Sequence, residues 1–108
     1  MKQFQVLASL WYLSHMGQIN RLLGNLKEAA DAYVKMKNRD NDSLEAHVGL
    51  AGIMIQQGRL KEAEHEASEA LRINPEFSVC RYVDNLIYRD PDVKKKIAEE
   101  LKLAGLPE

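Results

Sequence analysis

A chain of 108 residues supplies one modest domain. Fifteen Lys and Arg against sixteen Asp and Glu leave a formal net charge of -1, without the basic excess of a nucleic-acid binder; the one dense basic run, Lys94, Lys95 and Lys96, is followed at once by Glu99 and Glu100. A single cysteine, Cys80, excludes an intrachain disulfide and fits a reducing compartment, and no segment reaches the ~20 apolar residues that span a bilayer. The apolar stretch from Val6 to Leu13 is not expected to be a signal peptide, because Gln3 and Gln5 precede it, Ser9 interrupts it and no clean small-residue cleavage site follows. The expectation is a cytoplasmic chain that engages neither membrane nor nucleic acid.

In chain order the pattern predicts six helices, at about 4–23, 26–38, 43–57, 60–72, 75–89 and 91–104. Gly24 stands where the first must stop and the chain reverse, since glycine takes a positive φ without steric cost. Asn25 and Glu28 have capping-box spacing for the second, and Asp42 and Glu45 repeat it for the third. Gly58 closes the third. In the fourth, Leu60, Ala63, Ala67, Ala70 and Leu71 share one face, while Glu62, Glu66 and Glu69 mark a solvated one. Asn74-Pro75 and Asp90-Pro91 each place a capping side chain before a proline at the first helical position. The sixth helix carries an apolar stripe of Val93, Ile97, Leu101 and Ala104, and Gly105 and Pro107 end it. No strand pattern or low-complexity linker is present.

The strongest signal is an internal repeat. Gly24-Asn25-Leu26-Lys27-Glu28-Ala29 recurs as Gly58-Arg59-Leu60-Lys61-Glu62-Ala63, an offset of 58 − 24 = 34 residues. Met16-Gly17 corresponds to Leu50-Ala51, where small residues let helices approach, and Tyr33 and Met36 correspond to Ala67 and Ala70. This pattern resembles the tetratricopeptide repeat (TPR), whose period is 34 residues. The resemblance implies an all-α, TPR-type α-solenoid of about three antiparallel hairpins in one domain, 1–108: repeat 1 over 10–43, repeat 2 over 44–77, and a degenerate third hairpin with a capping helix over 78–108. The second unit follows the family better, with Leu50, Ala51, Gly58, Leu60, Ala63, Ala70, Leu71 and Pro75. It departs at His47, where the family has a bulky apolar residue; the first unit lacks the terminal proline.

The C-terminal third adds a narrower resemblance. Asn74-Pro75, Phe77-Ser78, Arg89-Asp90-Pro91 and Ala104-Gly105-Leu106-Pro107 are similar to the close of the TPR regions attached to many bacterial class III adenylate cyclases, and Trp11-Tyr12-Leu13 looks like the opening of the repeat that often precedes it. No cyclase catalytic domain fits in 108 residues, so the resemblance implies a regulatory or adaptor piece.

TPR resemblance also implies function: a non-catalytic module that binds another protein, as an extended peptide or a helix, in the groove lined by the first helix of each hairpin. In this register the groove residues are Trp11, Ser14, Gln18, Arg21 and Leu22, then Glu45, Val48, Gly52, Ile55 and Gln56, then Val79, Tyr82, Leu86 and Arg89. Their mostly apolar character suits an apolar or amphipathic segment. The carboxylate clamp of chaperone-binding TPRs is missing, because its positions hold Ser14, Gln18, Gly49, Val79 and Val83. The apolar residues Phe4, Val6, Leu7, Leu10 and Trp11 also suit a homodimer through the first helix.

Catalytic and metal chemistry find no footing. His15, His47 and His65 show no i, i+4 pairing for a metal, and no cofactor is expected; His47 packs where an aromatic ring is usual and His65 is solvated. Cys80 has no adjacent base and is expected to be a buried small hydrophobe. The cluster Glu62, Glu64, Glu66 and Glu69 reads as a solvated surface, lacking the apolar pocket an acid catalyst needs.

Overall fold

Three glycines set the corners of the chain: φ is +82° at Gly24, +76° at Gly58 and +104° at Gly105, and among the described residues no other residue type has a positive φ. The computed structural model describes the backbone of residues 2–108 and the side chains of residues 11–108; Phe4, Val6, Leu7 and Leu10 lie outside the described side chains. The elements are α1 (Lys2–Leu22), α2 (Leu26–Arg39), α3 (Leu44–Gln56), α4 (Leu60–Ile73), α5 (Val79–Asp84) and α6 (Pro91–Leu103). This is the all-α repeat architecture read from the sequence, with α1/α2 and α3/α4 as hairpins and α2 packed against α3.

The capping devices differ from expectation at three helix starts. Asn25 makes no cap bond; its amide donates instead to Asn20 Oδ1 at 3.3 Å. At α3 the cap is Ser43, whose Oγ accepts from the Ala46 N–H at 3.3 Å, while Glu45 turns away to meet Ser14 and Gln18. The fifth helix is only six residues long, not the span 75–89. Asn74 adopts an extended backbone and its Oδ1 accepts from the Glu76 N–H at 3.1 Å, a local turn that competes with a helix start. Ser78 then caps α5 by accepting from the Arg81 N–H at 3.3 Å. At α6 the reading holds: Asp90 accepts from the Asp92 N–H at 2.9 Å, with Pro91 in the first turn.

Two apolar clusters follow. Leu13, Ala29, Ala32, Tyr33, Met36, Ala46, Leu50 and Ile53 join the first hairpin to α3. Tyr33 is the pivot: a Cβ on either Gly17 or Gly49 would stand 2.6 Å from its ring, so the two glycines together make the slot for one phenol. The second cluster combines Val48, Ala51, Ala63, Ala67 and Ala70 with Phe77, Val79, Val83, Tyr88, Ile97, Leu101, Ala104 and Leu106.

That second cluster reveals the course of the C-terminal third, which folds back on the solenoid. α6 packs on α3 and reaches α1, where Arg21 Nη2 meets Glu100 Oε1 at 2.7 Å with both side chains buried. The segment between α5 and α6 crosses α1: Tyr88 Oη donates to the Gln18 carbonyl and the Ile87 N–H donates to Gln18 Oε1 at 3.3 Å. The tail then locks onto α5, with Val79 N–H donating to the Pro107 carbonyl at 2.9 Å and Ser78 Oγ to the Glu108 carbonyl at 2.6 Å.

Three surface expectations are overturned. Cys80 is exposed, because it sits on the outer side of the short α5. Glu66 is buried, bonded to Lys37 Nζ at 2.9 Å and 2.5 Å from His47 Nδ1; a polar partner at position 47 draws the carboxylate inward. Arg21 is buried as well, because Glu100 compensates its charge.

Candidate functional site

What remains of the concave face is a cleft of about 610 Å³ between α1, α5 and the loop leading into α5. Ser14, His15 and Gln18 of α1 form one wall; Phe77, Arg81, Tyr82 and Asn85 form the other; Leu44 and Glu45 of α3 lie between them, and Leu86 and Ile87 close the end. Local sequence explains each wall. The polar stripe of Ser14 and Gln18 recurs at i, i+4 on α1, and the Ser78 cap fixes where α5 begins and so which way Arg81 and Tyr82 point.

The cleft is hydrogen-bonded internally on one side and open on the other. Glu45 accepts hydrogen bonds from Ser14 Oγ and from Gln18 Nε2 at 3.3 Å, so its Oε1 is already engaged by its own chain. Arg81 opposite is exposed, and so is Glu76, leaving one cation and one anion on the rim. Burial pushes the Tyr82 phenol well above its ordinary range, against the pull of Arg21, and it packs against Phe77 with ring centroids 5.7 Å apart. Burial likewise pushes Tyr88 up to about 12, opposed by Arg21. Both therefore present neutral hydroxyls. A second cavity, of about 180 Å³, lies at the seam of α6 with the ends of α1 and α3, lined by Arg21, Leu22, Gln56, Tyr88 and Lys96 among others.

The structure gathers only part of the groove set. Ser14, Gln18, Glu45, Tyr82 and Leu86 meet in the cleft. Val48 and Val79 are fully buried in the second cluster, and Ile55 packs half-buried against it. Gly52 lies beneath the Arg21 guanidinium, where a Cβ would stand 2.1 Å from Nη2. Arg21 itself is taken by Glu100. Leu22 and Gln56 line the smaller cavity. Trp11 is exposed and stacks on His15 at 4.2 Å, and Arg89 is exposed between α5 and α6. Sequence reasoning missed Phe77, Arg81, Asn85 and Ile87, which reach the cleft because α5 is short and the chain folds back. The Ser78 cap was the one local signal for them. Among the described residues no group of three or more His, Cys, Asp or Glu is placed to hold a metal ion.

A family model described as tetratricopeptide repeat matches residues 21–85, more than half of the chain. The chain belongs to the tetratricopeptide repeat family. The match spans the repeated Gly-x-Leu-Lys-Glu-Ala turns, the first core cluster apart from Leu13, and the second from Val48 to Val83. TPR repeats generally mediate protein–protein interaction and are generally non-catalytic. No helix among the described residues of this TPR chain is long and apolar enough to cross a membrane. No curated protein matches the chain.

Proposed function

We propose that this TPR chain is a non-catalytic, cytoplasmic adaptor or scaffold module that takes a segment of another protein into the cleft between α1 and α5. The observation that carries this reading is the cleft itself: apolar walls of Phe77, Tyr82, Leu86 and Ile87, the Glu45 carboxylate hydrogen-bonded within its own chain, and the exposed Arg81 and Glu76 at the rim. Such a surface accepts an apolar or amphipathic peptide, with Arg81 and Glu76 as rim groups of opposite charge. The test is affinity capture with the native chain and with an Arg81→Glu/Leu86→Glu variant of unchanged helical circular dichroism. A partner held by the first and lost by the second supports the cleft; equal capture by both refutes it.

Two narrower readings have specific support. The C-terminal motifs similar to cyclase-attached TPR regions form one interlocked unit, with Phe77 and Leu106 buried and Ser78 and Val79 bonded to the tail. On this reading the chain is the regulatory TPR region of a bacterial class III cyclase, and the reading frame continues upstream into a catalytic domain; a stop codon directly upstream refutes the fused form. Self-association through α1 is the other, supported by the exposed apolar row on that helix.

A further inference from the structure

The carboxylate inside the cleft lacks a counter-charge. Glu45 is half-buried on α3 and lines the cleft. Its two described hydrogen bonds, from Ser14 Oγ and Gln18 Nε2, both end on Oε1, and both donors are neutral. None of the ion pairs among the described residues includes Glu45. Oε2 is therefore without a partner among these residues. The one side-chain polar atom among them that is sealed from solvent and unpartnered is Arg21 Nε, so Oε2 is open to the space that Glu45 lines. A carboxylate partly withdrawn from water gains strongly from a cation that reaches it.

The surroundings select the shape of that cation. Phe77 and Tyr82 line the same cleft, with ring centroids 5.7 Å apart. Burial keeps the Tyr82 phenol protonated, against the pull of Arg21 and with the help of Glu45, so the ring stays a neutral, electron-rich face. A long apolar stem lies along such a wall, and its charged end gains further from the ring. Arg21 does not answer Glu45, because its Nη2 is held by Glu100 at 2.7 Å. The exposed Arg81 and Glu76 are one of each sign, which leaves Glu45 as the unmatched charge of the cleft. A single free oxygen suits an ammonium, whereas the fork of a guanidinium is best met by two.

We infer that the partner segment inserts a lysine side chain into the cleft, with its ammonium on Glu45 Oε2 and its stem along Phe77 and Tyr82. The inference rests on the reading of the cleft as a peptide site and names the anchor that the site takes. An acidic or phosphorylated anchor is rejected there by the same carboxylate.

The test is selection of a random peptide library displayed on phage against the full chain, followed by fluorescence anisotropy of the selected peptide. The expected consensus is one lysine flanked by apolar residues. Glu45→Gln keeps a side-chain acceptor for Ser14 and Gln18, and its circular dichroism should be unchanged. It should raise the Kd of the peptide roughly 10-fold to 100-fold, the loss of a hydrogen bond between charged groups. Replacing the peptide lysine by norleucine, which keeps the stem, should do the same, and the two changes together should cost no more than either alone. Glu64→Gln, which removes an exposed charge from α4, should leave the Kd unchanged. An empty selection or a consensus without lysine overturns the proposal, and so does undiminished affinity after either single change or losses that add in the pair. The cleft reading survives those outcomes where Arg81→Glu/Leu86→Glu abolishes binding of the selected peptides; peptides that bind this variant equally refute the cleft reading itself.

Discussion

The two regular hairpins share a backbone register and solve their interiors in opposite ways. In the first, one large ring, Tyr33, fills a slot made by Gly17 and Gly49. At the equivalent places, 34 residues on, stand Ala51, Ala67 and Val83, all members of the second cluster, so small–large–small becomes three modest side chains. The second contrast is chemical. Leu13 and Ala32 of the first hairpin are apolar and buried; their equivalents are His47 and Glu66, buried together and tied to Lys37 and to the Asn41 carbonyl. The repeat thus conserves where side chains point and leaves volume and polarity to be settled between neighbours, because close packing constrains the sum of facing volumes and not each residue.

The largest effect should come from emptying the slot. Tyr33→Ala should cost about 3–5 kcal/mol, the usual range for deleting a buried aromatic, whereas Ala67→Gly should cost only about 1 kcal/mol; urea unfolding midpoints compare them. Nearly as large, Glu100→Ala should cost about 3–5 kcal/mol, because it strands the buried Arg21 charge. Arg21→Met/Glu100→Leu should recover most of that loss, showing the pair to be a matter of compensation and not of net attraction.

The polar pair of the second hairpin makes a pH-dependent prediction. Burial alone would raise the Glu66 pKa, but hydrogen bonds from His47 and Lys37 outweigh it and hold the carboxyl below its ordinary value of 4.5. A depressed folded pKa contributes stability that is present above that ordinary value and is lost as pH falls through the folded one. Stability should therefore decline on acidification below about pH 4.5. The double change His47→Leu/Glu66→Ala, which installs the first hairpin's solution, should remove that part of the decline while keeping the fold; an unchanged pH profile of the unfolding midpoint would refute the assignment. The smallest effect belongs to the short α5, where Ser78→Ala should cost about 1 kcal/mol, read from the same denaturation curves.

The elements legible in the sequence were those with short-range causes. Gly24, Gly58 and Gly105 marked their turns because positive φ is a local demand. The stripe Val93, Ile97, Leu101 and Ala104 announced the inner face of α6. The fifth helix failed because Asn74 and Ser78 compete for the same start, and only packing against the tail favours Ser78. In the site, Ser14, Gln18, Glu45, Tyr82 and Leu86 were placed by register. Arg21, Val48, Gly52 and Val79 were not, since the register describes a groove open to solvent and this chain lays its own C-terminal segment across it.

The sequence by itself determined the repeat, its 34-residue step, the two antiparallel hairpins and the membership in a binding family, because periodicity and turn chemistry act over a few residues. Only the tertiary structure decided which groove residues stay free, that Glu66 and Arg21 go inside, and that Cys80 stays out. Those outcomes rest on contacts such as Arg21 with Glu100, 79 positions apart. A buried charge is tolerated only where its partner arrives, and no local pattern records which distant residue that will be.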